Sequence, residues 1–425
     1  MLYIYEVHLN HDSSNWTNDA LNLRYNQVKN SYIKAPEWIK GQKPHPAAYA
    51  LNKVKGGKVT IKARFAGGPG YKSLKIRAVD YFKKPEEALS FWGNIGRGVL
   101  RFTARIVERA LPDVIYLDKS GDNILGSVRE KIIKFDSNGF SKLEEFELTG
   151  HQLNTSTGVG IYTTVWKWQY SENGKWIDFS QTDHRIYAIY DQTLGSQDVS
   201  GTPDNAYLPW VDALEVACVA ASGATNVDEI AKRITIWINE HPLLVYHASN
   251  NFVAKGITDW SQFSSAPYML SLFLSELKSN KTFSVNCLDC ANAVIALSDL
   301  LGCKLVEKPI GIFKPQGEKN ATKPIVAIGG DESKHSQWKE YDWDWHAFAW
   351  KERTNWDEKI YDACLKLDLD LNQNDNIHKP HHPVNMKYGL GDQPNAKDYV
   401  NYLLKNPSTT LTGQWSDYPV RREIK

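Results

Sequence analysis

No run in the 425 residues approaches the ~20 consecutive apolar residues that a helix needs to cross a bilayer. The opening stretch, MLYIYEVHLNHDSSN, alternates in polarity and reaches Glu6 and Asp12 early, so it lacks the charged and apolar regions of an export signal. These absences predict a protein with no membrane partner, cytoplasmic or exported by a route that uses no leader. Excess charge is missing too: 50 basic residues face 49 acidic ones, and no long basic block exists, which argues against nucleic acid as the main partner. Cysteine is scarce and odd in number. The five residues Cys218, Cys287, Cys290, Cys303 and Cys364 fit a reducing compartment better than a disulfide framework. The stretches AGGPGY and GNIGRG match neither a dinucleotide fingerprint nor a phosphate loop and read as turns. No repeat or low-complexity tract is visible.

What is present suffices for two or three domains, since a domain takes ~100–200 residues. Hydrophobic residues make up 42% of the chain, enough for a sizeable core. Fifteen tryptophans and twenty-one tyrosines read first as large core aromatics, and only second as a carbohydrate-stacking surface. Residues 1–195 form the expected first domain. GGKVTIKARFAGG, SLKIRAVDYF, GIYTTVWKWQYSENGKWIDFS and HRIYAIYDQ alternate apolar and polar positions between turn residues, which predicts strands. Asn173-Gly174 separates two such runs and predicts a tight hairpin. One helical interruption is expected over 84–111. Several short strands with regular turn signals point to a β-sandwich of immunoglobulin-like character.

The stretch DQTLGSQDVSGTPDN, residues 191–205, reads as a linker. Residues 196–425 are then expected to be an α+β domain. PWVDALEVACVAASG offers Pro209 to start a helix and Gly223 to stop it. NVDEIAKRITIWINEH places Val227, Ile230, Ile234 and Ile238 on one face behind Asn226 as cap. APYMLSLFLSELKSN is a third helix.

The chemistry concentrates in VNCLDCANAVIALSDLLGC, residues 285–303. Zinc would want four ligands, yet Cys287-x-x-Cys290 has no second spaced pair. Cys303, Cys364 and the loose imidazoles His378, His381 and His382 would have to serve instead. A redox pair would follow a strand in a βαβ context that is missing. The run from Leu288 to Leu301 is apolar nearly all round, as in a buried helix, with Gly302 at its end. Its N-terminus would aim backbone N–H groups and the positive dipole end at Cys287, favouring a thiolate, and the same groups could hold an oxyanion. Asp289 complements the dipole in the first turn, and Cys290, deeper in the helix, reads as an inert small hydrophobe. A nucleophilic cysteine also needs a base and an orienting group. WDWHAFAW puts His346, Phe348 and Trp350 on one strand face, and a second strand, KIYDACLKL, carries Asp362 as a cross-strand neighbour.

Cys287, Asp289, Ala291 and Gly302, with HAF and the YDA sixteen residues on, resemble the transglutaminase-like superfamily over roughly residues 280–370. The resemblance implies a papain-like triad: Cys287 as nucleophile, His346 as base and then acid, and Asp362 orienting the imidazole. It also implies an oxyanion-stabilising side chain upstream of the cysteine, for which Trp260, Tyr268 and Tyr246 are candidates that no motif separates. No cofactor and no metal are expected. The stretch DLDLNQND starts like a calcium loop, but Gln373 stands where glycine and Lys379 where glutamate is needed. The expected activity is thiol-dependent amide hydrolysis or acyl transfer through a thioester, by a cysteine peptidase or deamidase acting on a protein or peptide amide. A protein-crosslinking transglutaminase and a non-catalytic binding or scaffold protein with an idle triad are the alternatives. A housekeeping enzyme and a delivered effector would share this pattern.

Overall fold

A computed structural model describes residues 1–11, 19–26, 31–52, 59–81, 124–149, 153, 157–191, 209–248, 252–253, 267–311, 322–329, 338–342, 345–351, 358–368, 380–381, 399–405 and 424. The helix expected over 84–111, the GNIGRG stretch, nearly all of the linker, Trp260, His378, His382 and most of DLDLNQND lie outside the described residues. The chain is an α+β mix in which strands, arranged in several sheets, predominate over helices. Among the described residues, no helix is long and apolar enough to cross a membrane.

Two compact units divide the chain. In the first, β1 (Tyr3–His8), β2 (Trp38–Ile39), β4 (Thr60–Ala66) and β7 (Glu144–Glu147) form one sheet in the order β2-β1-β4-β7. A second sheet runs β3-β9-β8-β5-β6, from β3 (Ala47–Ala50), β5 (Ser73–Asp80), β6 (Val128–Lys134), β8 (Gly160–Glu172) and β9 (Lys175–Ile189). Every pairing is antiparallel except β3 with β9. Alternation decides which residues point inward: Ile61, Ala63 and Phe65 of β4 and Ile76 and Ala78 of β5 are buried. Both sheets line one core, where the Phe65 and Trp168 rings meet edge to face at 5.4 Å. The hairpin expected at Asn173-Gly174 joins β8 to β9, with φ of 49° and 77° supplying the left-handed pair that such a turn needs. Helix α1 (Val211–Ala220) groups with this first unit.

Gly139 is the least replaceable turn residue here. Its φ is +83°, and an added Cβ would stand 2.2 Å from the Gly67 carbonyl oxygen. Gly67 N–H also donates to the Gly139 carbonyl at 2.7 Å, so the two backbones cannot simply part. Gly139→Ala is expected to destabilise the first unit by roughly 2–4 kcal/mol, strain and overlap together, as a lowered urea midpoint would show.

The second unit holds α2 (Val227–Asn239), α3 (Leu270–Ser279), α4 (Cys287–Asp299) and the short α5 (Tyr399–Leu403). The helix α2 buries Ile230, Ile234 and Ile238, the stripe its spacing predicts. Three small sheets accompany the helices. β10 (Leu244–Tyr246) and β11 (Phe283–Val285) are a parallel pair. β12 (Val306–Gly311), β14 (Trp345–Trp350) and β15 (Ile360–Tyr361) form an antiparallel sheet, and so do β13 (Ile325–Ala327), β16 (Leu365–Asp368) and β17 (Pro380–His381). The run KIYDACLKL is therefore two strands in two sheets, not one. The break falls at Asp362, whose Oδ1 accepts the N–H of Cys364 at 2.8 Å and of Leu365 at 3.3 Å. A side chain that captures its own backbone this way competes with the ladder and turns the chain.

Candidate active site

Chain direction changes sharply at Asn286. Strand β11 delivers it in an extended conformation, φ −114°, and the helix α4 begins at the next residue. The Asn286 side-chain oxygen accepts the Asp289 N–H at 3.0 Å, and Asp289 Oδ2 accepts the Asn286 N–H at 3.0 Å, a reciprocal capping box. Asp289 Oδ1 takes a further N–H, that of Phe252, at 2.5 Å. Sequence reasoning gives Asp289 a dipole role; the structure adds two backbone bonds, one of them to a segment far away in the chain. With Asn286 and Asp289 paired, the N–H groups of Cys287 and Leu288 are those at the tip. All thirteen residues of α4 are buried, as a helix apolar on every side must be.

Cys287 occupies the first turn of that tip. It is 4% exposed, a buried residue. Strand β14 packs along α4, and its His346 is close enough to Cys287 for the sulfur to act on its pKa.

His346 and Asp362 are both fully buried. The His346 Nε2 to Asp362 Oδ2 distance is 2.8 Å, and the Cys287 sulfur is near enough to act on the imidazole. Burial works against a charged imidazole, but the Asp362 carboxylate and the Cys287 sulfur outweigh it and push the His346 pKa up to about 10. The Asp362 carboxylate receives two backbone N–H groups on Oδ1, and on Oδ2 a second donor besides the imidazole: the Tyr399 hydroxyl, at 2.8 Å. Tyr399 comes from α5, and nothing in its sequence setting marks it, because a buried tyrosine normally reads as core. Cys287, His346 and Asp362 are thus brought together; their order along the chain and the sixteen-residue step were the visible signal.

Of the other candidates, Tyr246 is paired in register with Val285, two residues before Cys287. Burial first, and then the charge of Cys287, raise its pKa. Tyr268 is buried, and its pKa is raised by burial and by Asp289 and Cys290; its hydroxyl has no hydrogen-bond partner among the described residues. None of the five cysteines is in a disulfide, and all are buried. Burial raises the Cys290 and Cys364 thiols, whose titrations also depend on one another, and raises Cys303 and Cys218 as well. Among the described residues, no group of three or more His, Cys, Asp or Glu side chains is placed to hold a metal ion. No family model matches the chain, and no curated protein matches it.

Proposed function

We propose that the second unit is a transglutaminase-like domain that breaks amide bonds through a thioester, and that the first is an immunoglobulin-like sandwich. One observation carries the reading. A single imidazole is held by Asp362 through Nε2, and the same ring feels the sulfur of a cysteine in the first turn of a buried helix.

The chemistry follows from those positions. Cys287 as thiolate attacks the carbonyl carbon of a protein or peptide amide, and the carbonyl oxygen gains the negative charge. The Cys287 and Leu288 N–H groups are the donors for that oxyanion, and Tyr246, whose hydroxyl feels the charge of Cys287, is the candidate third donor. His346, whose pKa the Asp362 carboxylate holds well above that of a free imidazole, gives its proton to the departing amine as the C–N bond breaks. The neutral imidazole then takes a proton from water, which attacks the thioester and releases the acid. An amine in place of water would give a crosslink; hydrolysis asks less of the site.

The burial of Cys287 favours a second reading, a scaffold in which the same triad stands idle. Iodoacetamide separates the two. At pH 7, Cys287 is expected to react roughly 10-fold or more ahead of the other four cysteines, and to lose that lead in His346→Ala. Equally slow labelling of all five would exclude the enzyme. Incubating the wild type and Cys287→Ala with a cell lysate, and searching by mass spectrometry for new N-termini, Gln-to-Glu conversions and isopeptide links, identifies the acceptor.

A further inference from the structure

We propose that Tyr399 is a positioning residue of this site, setting the basicity of the His346 imidazole through the oxygen of Asp362 that both of them share. This deepens the triad reading and rests on it for its catalytic meaning, though not for the coupling itself.

The geometry is specific. The Tyr399 hydroxyl donates to Asp362 Oδ2 at 2.8 Å, and His346 Nε2 meets the same atom at 2.8 Å. The Tyr399 ring lies nearly parallel to the imidazole, 23° between planes with centroids 6.4 Å apart, and edge-on to Phe348 at 5.0 Å. It is completely buried. The segment is fastened on either strand of its surroundings: Lys323 N–H donates to the Leu403 carbonyl at 2.9 Å, Leu404 bridges Thr322, and Lys405 pairs with Glu340 at 2.5 Å. A merely space-filling aromatic would need no hydroxyl here, and a buried hydroxyl is costly unless bonded.

A phenol that donates to a carboxylate withdraws charge from the oxygen that stabilises the imidazolium. Among the described residues, Cys287 on α4 acts on His346, the Phe348 ring lies 6.4 Å from it, and Cys364 feels the charge of Asp362. On β12, the backbone partner of His346 is Ile310, while Glu307 takes the Asn292 amide at 2.7 Å and Lys308 lies over the Trp350 ring. Tyr399 is therefore the neutral donor that moderates the pair.

The test uses the full chain and reads the His346 ring signals by NMR against pH. Tyr399→Phe is expected to raise the His346 midpoint by about half a unit to one unit, since one charge-assisted hydrogen bond is lost from its counter-ion. Replacing Tyr399 with 3-fluorotyrosine, a stronger donor of nearly the same shape, is expected to lower the midpoint, and it keeps the question open to experiment if the phenylalanine variant folds poorly. An unmoved midpoint in a folded variant of either kind overturns the proposal. A moved midpoint together with an unreactive wild-type Cys287 would leave the coupling standing and remove the enzyme reading, so the two fail separately.

Discussion

Asp362→Asn is expected to slow amide turnover by about 10³–10⁴-fold, and to bring Cys287 alkylation at pH 7 down to the rate of an unactivated thiol. The reason lies in the tautomer. The asparagine amide can keep its oxygen on the Cys364 and Leu365 N–H groups, which bond Asp362 Oδ1 at 2.8 Å and 3.3 Å. Its NH₂ group would then face His346 Nε2, which has to accept where it now donates to Oδ2. The ring proton moves to Nδ1, the nitrogen that must take a proton from Cys287, and no charge remains to stabilise an imidazolium. Because the turn stays capped, fold and function part company in this variant. Labelling as fast as in the wild type, in a folded Asp362→Asn protein, would remove Asp362 from the mechanism.

Asp289→Ala should be the most damaging single change to stability in the second unit. The carboxylate is fully buried and accepts the N–H groups of Asn286 at 3.0 Å and Phe252 at 2.5 Å. Alanine leaves two backbone donors in the interior with no acceptor, and removes half of the capping box. At about 1–3 kcal/mol for each orphaned donor plus about 1 for the cap, the expected loss is roughly 3–7 kcal/mol. Urea unfolding followed through the exposure of the buried Cys290 to alkylation, in a Cys287→Ala background, would measure it. Asp289→Asn, which keeps one acceptor oxygen, should lose less. Equal midpoints for the alanine variant and the wild type would show that these bonds are replaced by water.

How much of this was legible beforehand depended on how local the signal was. The hairpin at Asn173-Gly174 and the stripe Ile230, Ile234, Ile238 were readable because turn chemistry and helical period act over a few residues. The uninterrupted apolar run after Cys287 announced a helix buried on all sides. The strand break at Asp362 was not foreseen. Tyr361, Ala363 and Leu365 alternate like a strand, and only the capture of backbone N–H groups by the carboxylate overrides that pattern. Tyr399 and the Phe252 contact were invisible for a different reason: each is a meeting of segments 37 residues apart in the chain, and a single sequence carries no mark of which segments meet. The near-complete burial of Cys287 was missed likewise, since position at a helix tip says nothing about what lies over it.

Helix α4 has no face turned to water along any of its thirteen residues. On the proposed chemistry, a substrate amide would have to reach the sulfur past the side chains that cover the first turn, since the flanks of the helix are occupied by the interior of the protein.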